Sequence, residues 1–185
     1  MRPSFLFAVS VVALTMAASS IGALAQGTAA PGKTAATAKA DNAAISSCLQ
    51  EVFKEAEKYE KLSDKEKEKA DEPAEAASCM GTVSGVCQEK IKGDPNKGLV
   101  TCNNRELAVW QAFMDRRVAA YLKDAKPNEA AAMKKVQSTW VAHRDARCAY
   151  PAIDSDDKGL ASALTSACLL EMTSKQALWI DAREN

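Results

Sequence analysis

Six cysteines behind an export signal constrain this chain more than any other feature of its sequence. A basic start at Arg2 precedes an apolar run from Phe5, and Ala23-Leu24-Ala25 forms a small-residue cleavage signal. We therefore expect residues 1–25 to be a signal peptide and the protein to be periplasmic or secreted. Because exported chains meet an oxidising environment, the cysteines are predicted to form disulfide bonds. The apolar run is short and rich in Ala and Ser, so no stable membrane insertion is expected after cleavage.

Charge and composition divide the remainder of the chain. The 185 residues include 24 basic and 24 acidic side chains, a balance that gives no general attraction for nucleic acid or anionic lipid. Residues 26–42 contain almost no large apolar side chain, and we expect a disordered Ala/Thr-rich tether there. Residues 43–185 are predicted to form a single small domain, whose modest core would need cross-links.

Apolar residues recur at helical spacing in four stretches. The first begins after an N-cap at Asp41 or Asn42, and the next two cover about 99–123 and 129–148. A fourth follows a cap at residue 156 or 157. No alternating strand pattern appears, so we predict an all-α fold, a small disulfide-pinned bundle of about four helices. The predicted buried stripe of the last helix consists of Leu160, Leu164, Cys168, Met172 and Leu178.

Six cysteines allow fifteen pairings, and sequence alone does not choose among them. Helix placement narrows the choice, because Cys148 ends one predicted helix and Cys168 lies midway along the next. Antiparallel packing of those two helices would bring this pair together. The expected bonds are Cys48–Cys79, Cys87–Cys102 and Cys148–Cys168. The chain has no C-x-x-C motif and only one histidine, which argues against a metal or redox site.

No catalytic constellation is evident. His143 is the only histidine, and no serine lies in a G-x-S-x-G elbow. Phosphate-loop and dinucleotide fingerprints are also missing from the sequence. Asp154, Asp156 and Asp157 match no calcium-loop spacing and are more typical of helix capping. We therefore predict a protein that is not an enzyme and needs no cofactor.

The densest motif is Gln137-x-x-Trp140-x-x-x-Arg144-Asp145-x-x-Cys148. Two others are Cys102-x-x-Arg105-Glu106-x-x-x-Trp110 and the run from Cys168 to Thr173. On these motifs the chain resembles the LprI-like N-terminal domain family of lysozyme inhibitors, most closely over 79–179. The family's aspartate after the upstream tryptophan is Gln111 here. The resemblance implies an all-α, disulfide-pinned fold and these signature residues: Glu106, Trp110, Gln137, Trp140, Arg144 and Asp145.

The guanidinium of Arg144 is expected to need a hydrogen-bonding partner on a neighbouring helix. Helical spacing places it on one face with Gln137 and Trp140, and a charged group on an inward face needs a partner. Glu106 and Asp115, on the preceding helix, are the expected carboxylate partners.

Two functions remain open on the sequence. The resemblance implies a periplasmic binding module that inhibits lysozyme. Because the common animal-type lysozymes are basic, the acidic loop of Asp154, Asp156 and Asp157 is its candidate partner-binding surface, and Asp71, Glu72 and Glu75 form another acidic patch. The alternative is a structural or envelope-interaction protein without inhibitory activity, whose signature residues serve only the fold. The expected partner is accordingly lysozyme or another envelope protein.

Overall fold

The computed structural model describes residues 31–182, which contain helices and no β-strand. Four long helices dominate, as predicted, and three short helices and one 3₁₀ turn connect them. In chain order the helices are α1 (Pro31–Glu60), α2 (Asp64–Lys67), α3 (Thr82–Gln88), α4 (Pro95–Asp124), α5 (Pro127–Ala149), α6 (Pro151–Asp154) and α7 (Lys158–Asp181), with the 3₁₀ turn (Ala76–Cys79) before α3. The predicted all-α class is confirmed. None of these helices is long and apolar enough to cross a membrane.

α1 starts earlier than the sequence analysis predicted. Asp41 is not an N-cap but lies within the helix, buried and paired with Arg105 of α4. Residues 31–42 were predicted to belong to a disordered tether, but they are helical. Their alanines favour a helix, and the ion pair of Asp41 and Arg105 holds that helix against α4. The remainder of that tether and the predicted signal peptide lie outside the described residues.

The starts of α4 and α7 are capped by aspartates. Asp94 accepts hydrogen bonds from the backbone nitrogens of Asn96 and Lys97, and Pro95 occupies the first helical position, so α4 begins four residues before the predicted start. Asp157 caps α7 through the backbone nitrogens of Gly159 and Leu160, at 2.8 and 3.0 Å. Of the two caps predicted for α7, the structure uses Asp157.

α4 and α7 form a parallel central pair. Asn103 donates a hydrogen bond to Ser166 at 3.0 Å, and further along both helices Arg117 lies 2.6 Å from Asp181. α5 returns antiparallel to α7, and the two are joined by the bond between Cys148 and Cys168. α1 and α3 cover another side of α4.

The predicted buried stripe of α7 is partly wrong. Leu160 and Leu164 are 44% and 46% exposed, and the other three predicted residues are only half-buried. Small or polar side chains make up most of the buried set: Ala161, Ala163, Ser166, Leu170, Thr173, Ser174, Ala177, Ile180 and Asp181. Small side chains let the two helix backbones approach closely, so the larger leucines are displaced to the outer face.

The core lies where α1, α3, α4 and α7 meet. Trp110 is fully buried there, among Ile45, Val83, Met114 and Ile180. The three disulfide bonds of the structure are the three predicted pairs, with Cα–Cα distances between 5.5 and 5.8 Å. They tie α1 to the 3₁₀ turn, α3 to α4, and α5 to α7.

Candidate functional site

Glu106 is a residue of α4, and its fully buried carboxylate lies against the start of α3. It accepts hydrogen bonds from the backbone nitrogens of Gly81, Val83 and Ser84 at 2.7, 3.0 and 2.7 Å, and from Nε1 of Trp110 at 3.0 Å. These backbone groups belong to the first turn of α3, which has no other acceptor for them. Glu106 thus caps one helix from the side of another, and its role is to hold the fold.

Arg144 does not pair with either predicted carboxylate. Glu106 faces α3, and Asp115 is exposed and accepts a hydrogen bond from Gln111 at 2.9 Å. Arg144 instead reaches Gln111 through Nη1, at 3.3 Å. The prediction is wrong because it rested on residue types alone, whereas the register of α5 against α4 places Gln111 opposite Arg144.

Arg144 joins three helices from this position. Nη1 also lies 3.4 Å from the hydroxyl of Thr173 on α7, and Nε donates to Asp145 at 2.8 Å. The guanidinium stacks over the ring of Trp140, 5.0 Å from its centroid. Gln137 is half-buried one turn before Trp140, and its amide lies 3.9 Å from the sulfur of Met133. The contacts of Arg144 with Gln111 and Thr173 link α5 to α4 and α7.

The six signature residues therefore do not converge on one pocket. Glu106 and Trp110 are wholly inside the molecule, whereas Gln137, Trp140 and Arg144 are half-buried along α5 and Asp145 is exposed. A partner cannot touch the first two. Any binding surface must therefore consist of residues other than Glu106 and Trp110.

The candidate acidic loop lies at an exposed end of the bundle, which we call the tip (residues 150–160). Asp154 and Asp156 are exposed, whereas the carboxylate of Asp157 is occupied in capping α7. Beside them Tyr150 is 61% and Ile153 is 81% exposed. The sequence analysis did not identify these apolar residues as part of the exposed loop. The available signal was that Ile153 follows Pro151, which ends the predicted helix 129–148, and so belongs to no helical stripe. The Cys148–Cys168 bond fixes the base of the tip.

A second exposed surface lies between α5 and α7, towards the opposite end of α7. This tryptophan groove has a volume of about 480 Å³ and is lined by Lys135, Val136, Thr139, Trp140, His143, Gln176 and Trp179. Val136 and Trp179 are 41% and 38% exposed. The single histidine therefore lies on an open surface.

A third feature is the ion pair between α1 and α4. The carboxylate of Asp41 accepts hydrogen bonds from Nε and Nη2 of Arg105, both at 2.5 Å. The pair lies at one edge of a cavity of about 640 Å³ that is lined mainly by small side chains. The hydrogen bonds that Arg105 donates to the carboxylate of Asp41 raise the pKa of Arg105 above its ordinary value. Sequence reasoning missed this pair because the two residues are 64 positions apart.

The metal-ligating side chains of residues 31–182 lie apart from one another. No group of three or more His, Cys, Asp or Glu side chains there is placed to hold a metal ion. All six cysteines are in disulfide bonds.

Comparison with known proteins gives one match. The family model described as "Lysozyme inhibitor LprI" matches residues 87–183, which include α4 to α7 and all six signature residues. No curated protein and no solved structure matches the chain significantly.

Proposed function

Because this chain belongs to the LprI lysozyme inhibitor family, we propose that it is an exported, non-enzymatic binding protein that inhibits lysozyme. The family match over residues 87–183 is the observation that carries the proposal. Three disulfide bonds support a location outside the cytoplasm, in the periplasm or beyond it.

The tip is the surface that we assign to lysozyme binding. Animal-type lysozymes are basic proteins, and the exposed carboxylates of Asp154 and Asp156 complement that charge. Ile153 and Tyr150 supply apolar area at the same place. An apolar centre with a charged rim is the usual composition of a protein–protein interface. We expect Ile153 to anchor the complex and the aspartates to accelerate its formation.

The test is a titration of lysozyme activity with the oxidised protein from Gln26 onward. Stoichiometric inhibition that is lost on reduction of the disulfides is the expected result. Absence of inhibition at large excess, by protein shown to be folded and helical, would refute the proposal. Animal-type and goose-type enzymes are compared, because the proposed charge complementarity concerns the basic animal type.

The tip is tested by a double substitution, Asp154→Asn with Asp156→Asn, which leaves the Asp157 cap in place. We expect at least tenfold weaker inhibition by this variant. Its affinity for lysozyme should also depend less on salt concentration than the affinity of the wild type does. The matched control is Asp71→Asn with Glu72→Gln, which neutralises an exposed acidic pair outside the tip. If the tip variant inhibited lysozyme as strongly as the control variant, the inhibitor proposal would stand and the assignment to the tip would be refuted.

One observation favours a second candidate, a structural or envelope-interaction protein without inhibitory activity. The polar signature residues Glu106 and Arg144 bond to other parts of the same fold. Folding alone would explain their presence. The same titration separates the two candidates, since only the inhibitor slows lysozyme.

A further inference from the structure

We propose that the lysozyme-binding surface continues from the tip along the outer side of α7, where Leu160 and Leu164 supply its apolar area. This inference rests on the proposed function and names a further part of the same interface. We call Leu160, Leu164 and Ala167 together the leucine face. The observations that carry it are the exposure of two large leucines, the lack of charge along this stretch of α7 and the position of α6 beside it.

The leucine face is an exposed helix surface with the composition of a covered one. Leu160 is 44% and Leu164 is 46% exposed, and Ala167 is exposed as well. Between Lys158 and Glu171 the sequence of α7 has no charged side chain, and its polar side chains there are the hydroxyls of serine and threonine. The outer face of a surface helix normally carries charged residues, whereas a helix that is apolar on all sides is normally covered. This stretch of α7 therefore has the composition expected of an interface.

The disulfide bond between α5 and α7 places the leucine face beside the tip. Cys168 follows Leu164 by about one helical turn, so Leu164 projects on the side of α7 to which Cys148 of α5 is bonded. Because α5 runs antiparallel to α7, the chain beyond Cys148 lies alongside the turns of α7 that precede Cys168. That chain contains Tyr150 and then α6, which packs against α7. The exposed apolar side chains of the tip and those of the leucine face therefore border one another.

A stable complex needs more surface than the tip provides. Specific protein–protein interfaces bury about 800 Å² on each partner, contributed by about 20–30 residues. Residues 150–160 are too few to supply this area, so the contact with lysozyme must include a surface that adjoins the tip. An apolar neighbour would extend the centre of the interface, which Ile153 already begins.

Charge distinguishes the leucine face from the other surfaces beside the tip. The start of α4 adjoins the tip where Asn96 packs against Gly159, and the exposed lysines there are Lys90, Lys92 and Lys97. The end of α5 presents the exposed guanidinium of Arg147. These cations oppose the approach of a basic lysozyme, whereas the leucine face carries no charge of its own. The favoured extension of the tip is therefore along α7.

The experiment measures lysozyme inhibition by the oxidised chain from Gln26 onward with Leu160→Gln and Leu164→Gln combined, the leucine variant. Glutamine keeps the helix propensity of leucine and removes the apolar contact. We expect at least tenfold weaker inhibition, with faster dissociation and an unchanged dependence on salt, because no charge is altered. This unchanged salt dependence distinguishes the leucine face from the aspartates of the tip. The matched control combines Phe53→Gln with Val86→Gln, which are 46% and 52% exposed on α1 and α3, and it should inhibit like the wild type.

A second variant adds bulk to the leucine face without removing any packing. Ala167→Arg places a long cationic side chain about two turns after Leu160, on the same side of α7. We expect at least tenfold weaker inhibition by this variant. Ala167→Glu adds similar bulk with the opposite charge and should weaken the inhibition less, because the partner is basic. Circular dichroism and urea denaturation check that each variant is folded, and the substitutions of Ala167 remain informative if the leucine variant is unstable.

Failure of this inference and failure of the proposed function give different results. Absence of inhibition by folded wild-type protein overturns both. Inhibition at wild-type strength by the folded leucine variant or by Ala167→Arg overturns this inference alone and leaves the tip as assigned. Concentration-dependent dimerisation of the wild type that the leucine variant abolishes, with unchanged inhibition, would assign the leucine face to a second copy of the chain and also overturn the inference.

Discussion

The carboxylate of Glu106 accepts a hydrogen bond from the indole nitrogen of Trp110, one turn further along α4, at 3.0 Å. The same carboxylate receives three backbone N–H groups from the first turn of α3. One side chain therefore fixes both the orientation of the central tryptophan and the start of a neighbouring helix. Because both residues are fully buried, this arrangement acts on stability and has no direct contact with a partner.

Glu106→Gln is expected to lower the free energy of unfolding by about 2–4 kcal/mol, because an amide nitrogen would face backbone donors and leave a buried N–H without an acceptor. Urea denaturation measures the change. The control is Glu55→Gln, which removes an exposed pair with Lys58 and should cost less than about 0.5 kcal/mol. Equal stability of the two variants would contradict the capping role of Glu106.

Asp41→Asn tests what holds the first half of α1 against α4. Beyond the bidentate contact with Arg105, this part of the interface consists mainly of small side chains and borders an open cavity. Since Arg105 is 39% exposed, we expect a loss of about 1–2 kcal/mol. Amide hydrogen exchange should accelerate mainly in residues 35–44. The control is Asp71→Asn, and an unchanged exchange pattern in Asp41→Asn would show that the ion pair does not hold this segment.

Arg144→Lys keeps the charge but removes the planar fork that reaches Gln111, Thr173 and Trp140 together. We expect a loss of about 1–2 kcal/mol, since lysine can satisfy only part of these contacts. Urea denaturation of this variant is compared with that of Arg116→Lys, at an exposed position on α4. If both variants were as stable as wild type, the contacts of Arg144 would contribute nothing to the packing of α5.

The sequence predicted those features that depend on local periodicity. Four long helices, the capping role of Asp157 and the Cys148–Cys168 pair follow from spacing, breaking prolines and the short connection between α5 and α7.

Features that depend on how one helix lies against another were not predictable in this way. The parallel pairing of α4 and α7 decides that Leu160 faces water, and the register of α5 decides that Arg144 meets Gln111. Periodicity identifies a buried face but not the neighbour that buries it. The ion pair of Asp41 and Arg105 likewise depends on a contact between distant segments.

The tip depends for its shape on the Cys148–Cys168 bond, and replacing both cysteines by serine tests that dependence. The bond closes a loop with a sequence separation of 20, so its loss is expected to lower the free energy of unfolding by about 3 kcal/mol.

The matched control replaces Cys87 and Cys102 by serine. Their separation of 15 predicts a similar loss of stability at a different place in the fold. Both variants should therefore unfold at similarly reduced urea concentrations. Only the loss of Cys148–Cys168 should accelerate amide exchange in residues 150–157 and weaken the proposed lysozyme inhibition, because a mobile tip would have to be ordered on binding. Equal exchange and equal inhibition in the two variants would show that the tip keeps its shape without the bond.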